Sequence, residues 1–257
     1  MCEVLLIVSI PIAAIAIIVV TIISIVRHIN VRNNKIISES TDLDRGTYSE
    51  RRLILTLRKF GIHPNAIYHD LYFRKDSGHF VQVDLVVPTK VGVIVFEVKD
   101  YSGWLFGNCE QKKWTQLLNY GKDRYYFYNP VLQNQEHIRH MRDLCPQLRN
   151  IPIYSVVVFS GPCSFRDITN VPSDVYFIYD NQLKDVLNDI FNNPLAHYTD
   201  KMEIVHFLNQ AKLNGANSEI VYQHIKNIRS AYGVGFGERH SQAPYSFRRF
   251  RRIYRWK

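Results

Sequence analysis

The stretch QVDLVVPTKVGVIVFEVK, Gln82 to Lys99, decides how the chain is read. It divides into two extended segments, with a turn expected at Pro88-Thr89-Lys90. The second segment, from Gly92, is β-branched and apolar until its end, the pattern of a strand buried on both faces. Glu97 and Lys99 then arrive two apart, so they share one face where the strand leaves the core. Asp84 sits among Val83, Leu85, Val86 and Val87 and needs a partner, because an unpaired buried charge is costly. If the two strands pair antiparallel, Asp84 and Glu97 lie side by side. Two carboxylates that close repel unless a cation lies between them. The alternative is a simple ion-paired strand end, with Lys99 satisfying Glu97 and Asp84 at an exposed edge.

Working outward, the N-terminal side begins with a different physical class of sequence. Val4 to Val26 is 23 residues without a charge, dominated by Ile, Val, Leu and Ala. That is enough to cross a hydrocarbon core of about 30 Å as a helix. Pro11 lies inside it, which membrane helices tolerate. Met1-Cys2-Glu3 lacks a basic n-region and the run is long for a signal peptide, so the reading is an uncleaved anchor over 1–32. Arg27, Arg32 and Lys35 follow the run. This predicts a single-pass membrane protein with its N-terminus outside and its main domain in the cytoplasm. Residues 33–46 are polar and read as a linker. Thr47-x-x-Glu50 has capping-box spacing, and Leu53, Leu57 and Phe60 continue a helical pattern that Gly61 ends. Glu50 is therefore either a capping carboxylate or a functional one.

Ile67 to Phe73 reads as a first strand. After Lys99, Gly103, Trp104, Phe106 and Gly107 predict a hairpin over the site, with Trp114 anchoring its return. Asn129-Pro130 is a helix start, and that helix runs to about Leu144 with Val131, Ile138, Met141 and Leu144 inward. Gln133, His137 and His140 share a face. A zinc site there lacks a third ligand. Ile153 to Phe159 is a buried strand, Val175 to Ile178 a short edge strand, and three helices follow. The order predicts an α/β fold with one mixed sheet between helices. Cys2, Cys109, Cys145 and Cys163 show no C-x-x-C spacing and read as free thiols. Gly233 to Gly237 opens no helix, so it is a weak nucleotide signal.

Charge is distributed unevenly. The net charge is +9, yet seven Lys/Arg and no acid lie beyond Glu238, leaving +2 on everything before it. In the tail, Arg248, Arg249, Arg251, Arg252 and Arg255 interleave with aromatics. Three readings stand: a nucleic-acid arm, a segment lying on anionic lipid, or a solvated terminus.

Taken in order, Glu50, Gln82-Val83-Asp84, Phe96-Glu97-Val98-Lys99, Gly103 with Gly107, Trp114, and Asn129-Pro130 with Gln133 resemble the nuclease-related domain, NERD. That family is similar to the PD-(D/E)XK nucleases and their restriction-endonuclease-like fold. The resemblance runs from about Gly46 to Phe159. Where the family commonly has Gly-Glu this chain has Ser49-Glu50, and Val83 stands in place of the namesake proline. The domain order becomes anchor 1–32, linker 33–46, nuclease-like core 47–165, helical extension 166–235 and basic aromatic tail 236–257. The resemblance implies Mg²⁺- or Mn²⁺-dependent hydrolysis of DNA or RNA. Asp84 and Glu97 would be metal ligands, Lys99 would act on the attacking water or the transition-state charge, Glu50 would hold a water or a second ion, and Gln133 would position substrate or Lys99. The alternative is a non-catalytic, membrane-tethered module that keeps the nuclease fold.

Overall fold

The computed structural model describes the backbone of residues 2–232 and the side chains of residues 14–228 and 230. Helix α1 (Cys2–Ser38) runs unbroken through the apolar stretch and its basic flank. An 18-residue window within Ala14–Ser38 has a mean hydropathy of 2.2 and none of it is buried, so by length and composition the helix can cross a bilayer.

The segment 33–46 is not a free tether. Its first part continues α1 to Ser38. Ser40, Thr41 and Arg45 are then buried, and Lys212 donates to the Ser40 carbonyl at 3.0 Å. Helix α2 (Tyr48–Phe60) starts where Thr47 accepts from the Glu50 amide and stops at Gly61, whose φ is 108°. Glycine enters that left-handed region without the Cβ penalty other residues meet.

Strands β1 (Tyr68–Arg74), β2 (Phe80–Thr89) and β3 (Gly92–Asp100) form an antiparallel meander. The turn is one position later than its sequence indicated. Pro88 pairs with Val93 and Thr89 with Gly92, leaving Lys90 and Val91 as the tip. Proline fits there because it sits near a strand end, where a lost ladder hydrogen bond costs little.

One sheet was expected and two are found. After β3 the chain leaves the first sheet and builds β4 (Gly103–Asn108), β5 (Lys113–Leu118) and β6 (Asp123–Tyr128). It returns through α3 (Pro130–Leu144) to β7 (Ile153–Ser160), parallel to β3. Strand β8 (Cys163–Thr169) joins the second sheet and β9 (Val175–Tyr179) closes the first. The orders are β1-β2-β3-β7-β9 and β6-β5-β4-β8. Helices α4 (Leu183–Phe191), α5 (Lys201–Ala216) and α6 (Ser218–Tyr232) follow.

Alternation along the strands sorts the core. Leu85, Val87, Ile94, Phe96 and Val98 meet Leu53, Ile54 and Leu57 of α2 and Leu187 and Ile190 of α4. Val86, Val93 and Val95 face the other way, onto Met141 of α3 and Ile204 and Leu208 of α5. Truncating Ile54 or Leu57 to alanine costs about 2–5 kcal/mol. Of the residues expected inward on α3, Val131 and Met141 are buried and Leu144 is exposed. Asn134 takes an inward position instead, donating to the Val95 carbonyl at 3.0 Å and Ser155 Oγ at 2.9 Å.

The glycines and Trp114 explain one another. A Cβ on Gly107 would lie 2.2 Å from the Trp114 ring, so the indole packs where only glycine leaves room. Asn129 caps α3 and donates to the carbonyls of Cys109 and Gln111 at 2.8 and 2.9 Å, tying the helix start to the second sheet. This connection carries Gln133 and His137 to the end of β3.

Candidate active site at the strand ends

Asp84 is left out of the ladders on both sides: the pairing with β1 skips it and resumes, and the pairing with β3 ends just before it. Between β1 and β2 the register passes from His69↔Leu85 to Leu71↔Val83, skipping Asp70 opposite Asp84. Asp70 has φ 56°, a left-handed conformation that breaks the pairing. Between β2 and β3 the paired residues end at Leu85↔Phe96. One step further in that register Asp84 stands opposite Glu97. The Asp84 carboxylate turns in and accepts from the Val98 amide at 2.8 Å, where a sheet would otherwise have continued.

Glu97 and Lys99 share the face that α3 covers. Lys99 Nζ lies 2.5 Å from Glu97 Oε1 and donates to Gln133 Oε1 at 3.0 Å. The Gln133 amide lies 3.5 Å from His137 Nε2, which is 3.3 Å from Glu97 Oε2. That last approach lacks hydrogen-bond geometry, and the buried Glu97 Oε2 has no hydrogen-bond partner. His137, set aside as half of a weak zinc pair, is therefore a neighbour of the site.

Glu50 arrives from the opposite face, on α2. Its Oε1 accepts from Thr47 Oγ1 at 2.8 Å, and its Oε2 is 2.8 Å from His69 Nε2. His69 is held in turn by Thr41 Oγ1, 2.8 Å from Nδ1. Gly46 is what lets these groups meet: a Cβ there would lie 2.3 Å from the His69 ring and 2.7 Å from Glu50 Oε2, at φ +71°. Glu50 is thus tied to its N-cap residue and clamped by β1.

The electrostatics are unequal. Burial pushes the Asp84 carboxyl well above the usual range, and the charges of Glu97 and Glu50 push it further, against Lys99 and the Val98 amide. Burial also opposes ionisation of Glu97, but Lys99 and His137 outweigh it and hold that carboxyl below its ordinary value. Lys99 loses some of its preference for charge to burial and regains more from Glu97, Tyr101 and Asp84, so it is firmly an ammonium. Asp84 is left as an under-neutralised acid beside a second carboxylate.

Of the residues singled out in the sequence, Asp84, Glu97, Lys99 and Gln133 are therefore brought together, and Glu50 lies close enough for its charge to act on Asp84. Arg248, Arg249, Arg251, Arg252 and Arg255 lie outside the described residues. Sequence reasoning overlooked His69, and with it Thr41 and Gly46. The signal was present: His69-Asp70 interrupts an otherwise apolar strand, and two polar residues inside a buried strand need partners.

An acidic strand end supported by a lysine, with a helix on each face, defines the class: a mixed α/β protein whose two sheets are flanked by helices. The family model of the nuclease-related domain, NERD, matches residues 45–160. The match takes in Glu50, Asp84, Glu97, Lys99 and Gln133. An uncharacterized protein of Bacillus anthracis is 24% identical over 199 residues, covering 77% of this chain and 91% of the relative. No solved structure matches the chain.

Proposed function

We propose that the protein is a membrane-anchored, divalent-metal-dependent nuclease that hydrolyses phosphodiester bonds of DNA or RNA on the cytoplasmic side, on a restriction-endonuclease-like core. The observation that carries this reading is the convergence of Asp84 and Glu97 beside Lys99, with Glu97 Oε2 buried and lacking a hydrogen-bond partner. The donor set suits a small hard cation: carboxylate oxygens, one of them met only by the 3.3 Å approach of His137, in a place where Asp84 is short of positive charge. Asp84 and Glu97 would hold Mg²⁺ or Mn²⁺, which when bound supplies Lewis-acid chemistry at the phosphate and acidifies water.

The chain's own residues then divide the work. Lys99, kept charged by Glu97, is suited to stabilising negative charge on the phosphate rather than to taking a proton. Gln133 fixes the ammonium by accepting from it at 3.0 Å. His69, by holding one oxygen of Glu50, presents that carboxylate to the site in a single orientation.

The test is cleavage of labelled single- and double-stranded substrates by the purified protein, with and without Mg²⁺ and Mn²⁺. Asp84→Ala and Lys99→Ala should each lower metal-dependent cleavage about 100-fold or more, with circular dichroism unchanged. Equal cleavage by wild type and both variants overturns the assignment.

A non-catalytic module is the second reading, and one observation favours it. Among the described residues no group of three or more His, Cys, Asp or Glu side chains is placed to hold a metal. Calorimetric titration with Mn²⁺ separates the two, since only the nuclease reading expects Asp84→Ala to remove an ion site.

A further inference from the structure

The second sheet has two faces of different character. Leu105, Trp114 and Phe127 point inward, onto Val131, Val157 and Phe159. By alternation and register, Trp104 and Phe106 on β4, and Arg124 and Tyr126 on β6, point the other way. None of these four belongs to any of the hydrophobic clusters of the described residues. From β8, whose register shifts between the pairs made by Leu105 and Phe106, Arg166 lays its guanidinium 4.9 Å from the centre of the Trp104 ring. The outer face is thus a layer of rings interleaved with arginine.

The hairpin joining β5 to β6 adds to it. Asn119 and Tyr120 both have positive φ, 50° and 57°, ahead of Gly121 at 89°. Left-handed backbone at two consecutive residues is the geometry of a primed hairpin turn, whose twist matches the flanking strands and which Asn readily enters. Here it projects Tyr120 so that 94% of the residue is exposed; Tyr126 is 57% exposed. The exposed side chains on this face are Tyr120, Tyr126, Arg124 and Arg166, with Asp167 placed among them by its pairing with Phe106; no exposed aliphatic residue of the kind that drives insertion into a bilayer accompanies them.

We infer that this face binds single-stranded nucleic acid, with Tyr120 and Tyr126 stacking on bases and Arg124 and Arg166 pairing with phosphates. Ring faces accept any base, and guanidinium groups track the backbone. A duplex keeps its base faces inside the stack, so the surface selects unpaired strands. The inference rests on the nuclease reading for its purpose: Trp104 follows Lys99 by five residues, at most about 17 Å of extended chain, so a strand lying on the sheet leads towards the strand ends.

The full chain in detergent, in EDTA so that no cleavage occurs, is titrated against a fluorescein-labelled 20-residue oligothymidylate and against a duplex of equal length. Wild type should prefer the single strand. Tyr120→Ala with Tyr126→Ala should weaken its binding at least tenfold, as about 1–3 kcal/mol per stacked base requires. Arg124→Gln with Arg166→Gln should flatten the dependence of log K on log salt by about 1.4. Iodouracil-substituted oligonucleotide should photocrosslink to peptides containing Trp104, Tyr120 or Tyr126. Unchanged affinity in the tyrosine variant, or crosslinks confined to residues 236–257, overturns the inference. So does loss of anionic-vesicle binding, rather than oligonucleotide binding, in the same variants. Failure of wild type to cleave with Mg²⁺ or Mn²⁺ counts against the nuclease reading alone, because binding is read without metal.

Discussion

Asp70 and Asp84 stand across from each other on neighbouring strands, and their surroundings could hardly differ more. Asp70 is buried and fully engaged. Arg45 Nε lies 3.0 Å from its Oδ2, and Gln82 donates to its Oδ1 at 3.0 Å. Arg45 also donates to the Asp70 carbonyl at 2.8 Å. Asp84 has one main-chain donor, a carboxylate opposite, and an ammonium already committed to Glu97. The first arrangement holds the N-terminal segment onto the core. The second leaves a charge that folding alone does not satisfy, the condition under which a ligand is expected.

The sharpest way to break this contrast is to remove a partner from each aspartate. Arg45→Ala strands Asp70 in the interior and should destabilise the protein by about 3–5 kcal/mol, as loss of one member of a buried pair does. Urea denaturation measures it, and a change below 1 kcal/mol would place Asp70 among solvated surface acids. Gly46→Ala should cost about 1–3 kcal/mol, from left-handed strain and the collision with His69, and should lower cleavage as well by displacing Glu50.

Asp84→Asn should act in the opposite sense to Arg45→Ala. The amide keeps an oxygen for the Val98 amide proton and removes a carboxylate that burial, Glu97 and Glu50 all disfavour. The metal-free protein should melt about 2–4 °C higher, and added Mn²⁺ should raise the melting point of wild type but not of the variant. A lower melting point for Asp84→Asn would mean that Asp84 contributes to stability as Asp70 does.

The smallest effect concerns pH. His224 on α6 is buried, with Nδ1 2.8 Å from the Phe80 carbonyl. Burial lowers its pKa below 6.5, against the Phe80 carbonyl and Asp70. The unfolded chain then takes up a proton before the folded one does, so stability is held above pH 6.5 and falls as pH drops below it. His224→Gln should flatten that slope in denaturation series between pH 7.5 and 5.5. A slope identical to wild type would assign it to other groups, His140 among them.

The strand elements and the site were legible to different depths. Gly61, Asn129-Pro130 and the Glu97/Lys99 spacing were readable because local backbone chemistry sets them. The second sheet was missed beyond its first hairpin. Tyr125 to Tyr128 is wholly aromatic, so it carries no clear alternation, and Cys163 to Thr169 mixes apolar and polar residues around a bulge with no fully buried position. Both are strands because of what they pair with, a non-local property that periodicity does not record.

What the sequence determined by itself was the apolar N-terminal helix, the caps, the buried strand ending in Glu97-x-Lys99, and the order of motifs shared with the nuclease-related domain. These follow from hydrophobic pattern and local geometry, which act over a few residues. The tertiary structure alone decided that Asp84 drops out of both ladders, that His69 clamps Glu50, and that Arg45 rather than the site takes Asp70. Each joins groups 19 to 25 residues apart or stands between two strands at once. Such contacts are chosen by packing and charge satisfaction in the folded chain, where the cost of a buried unpaired group selects the partner.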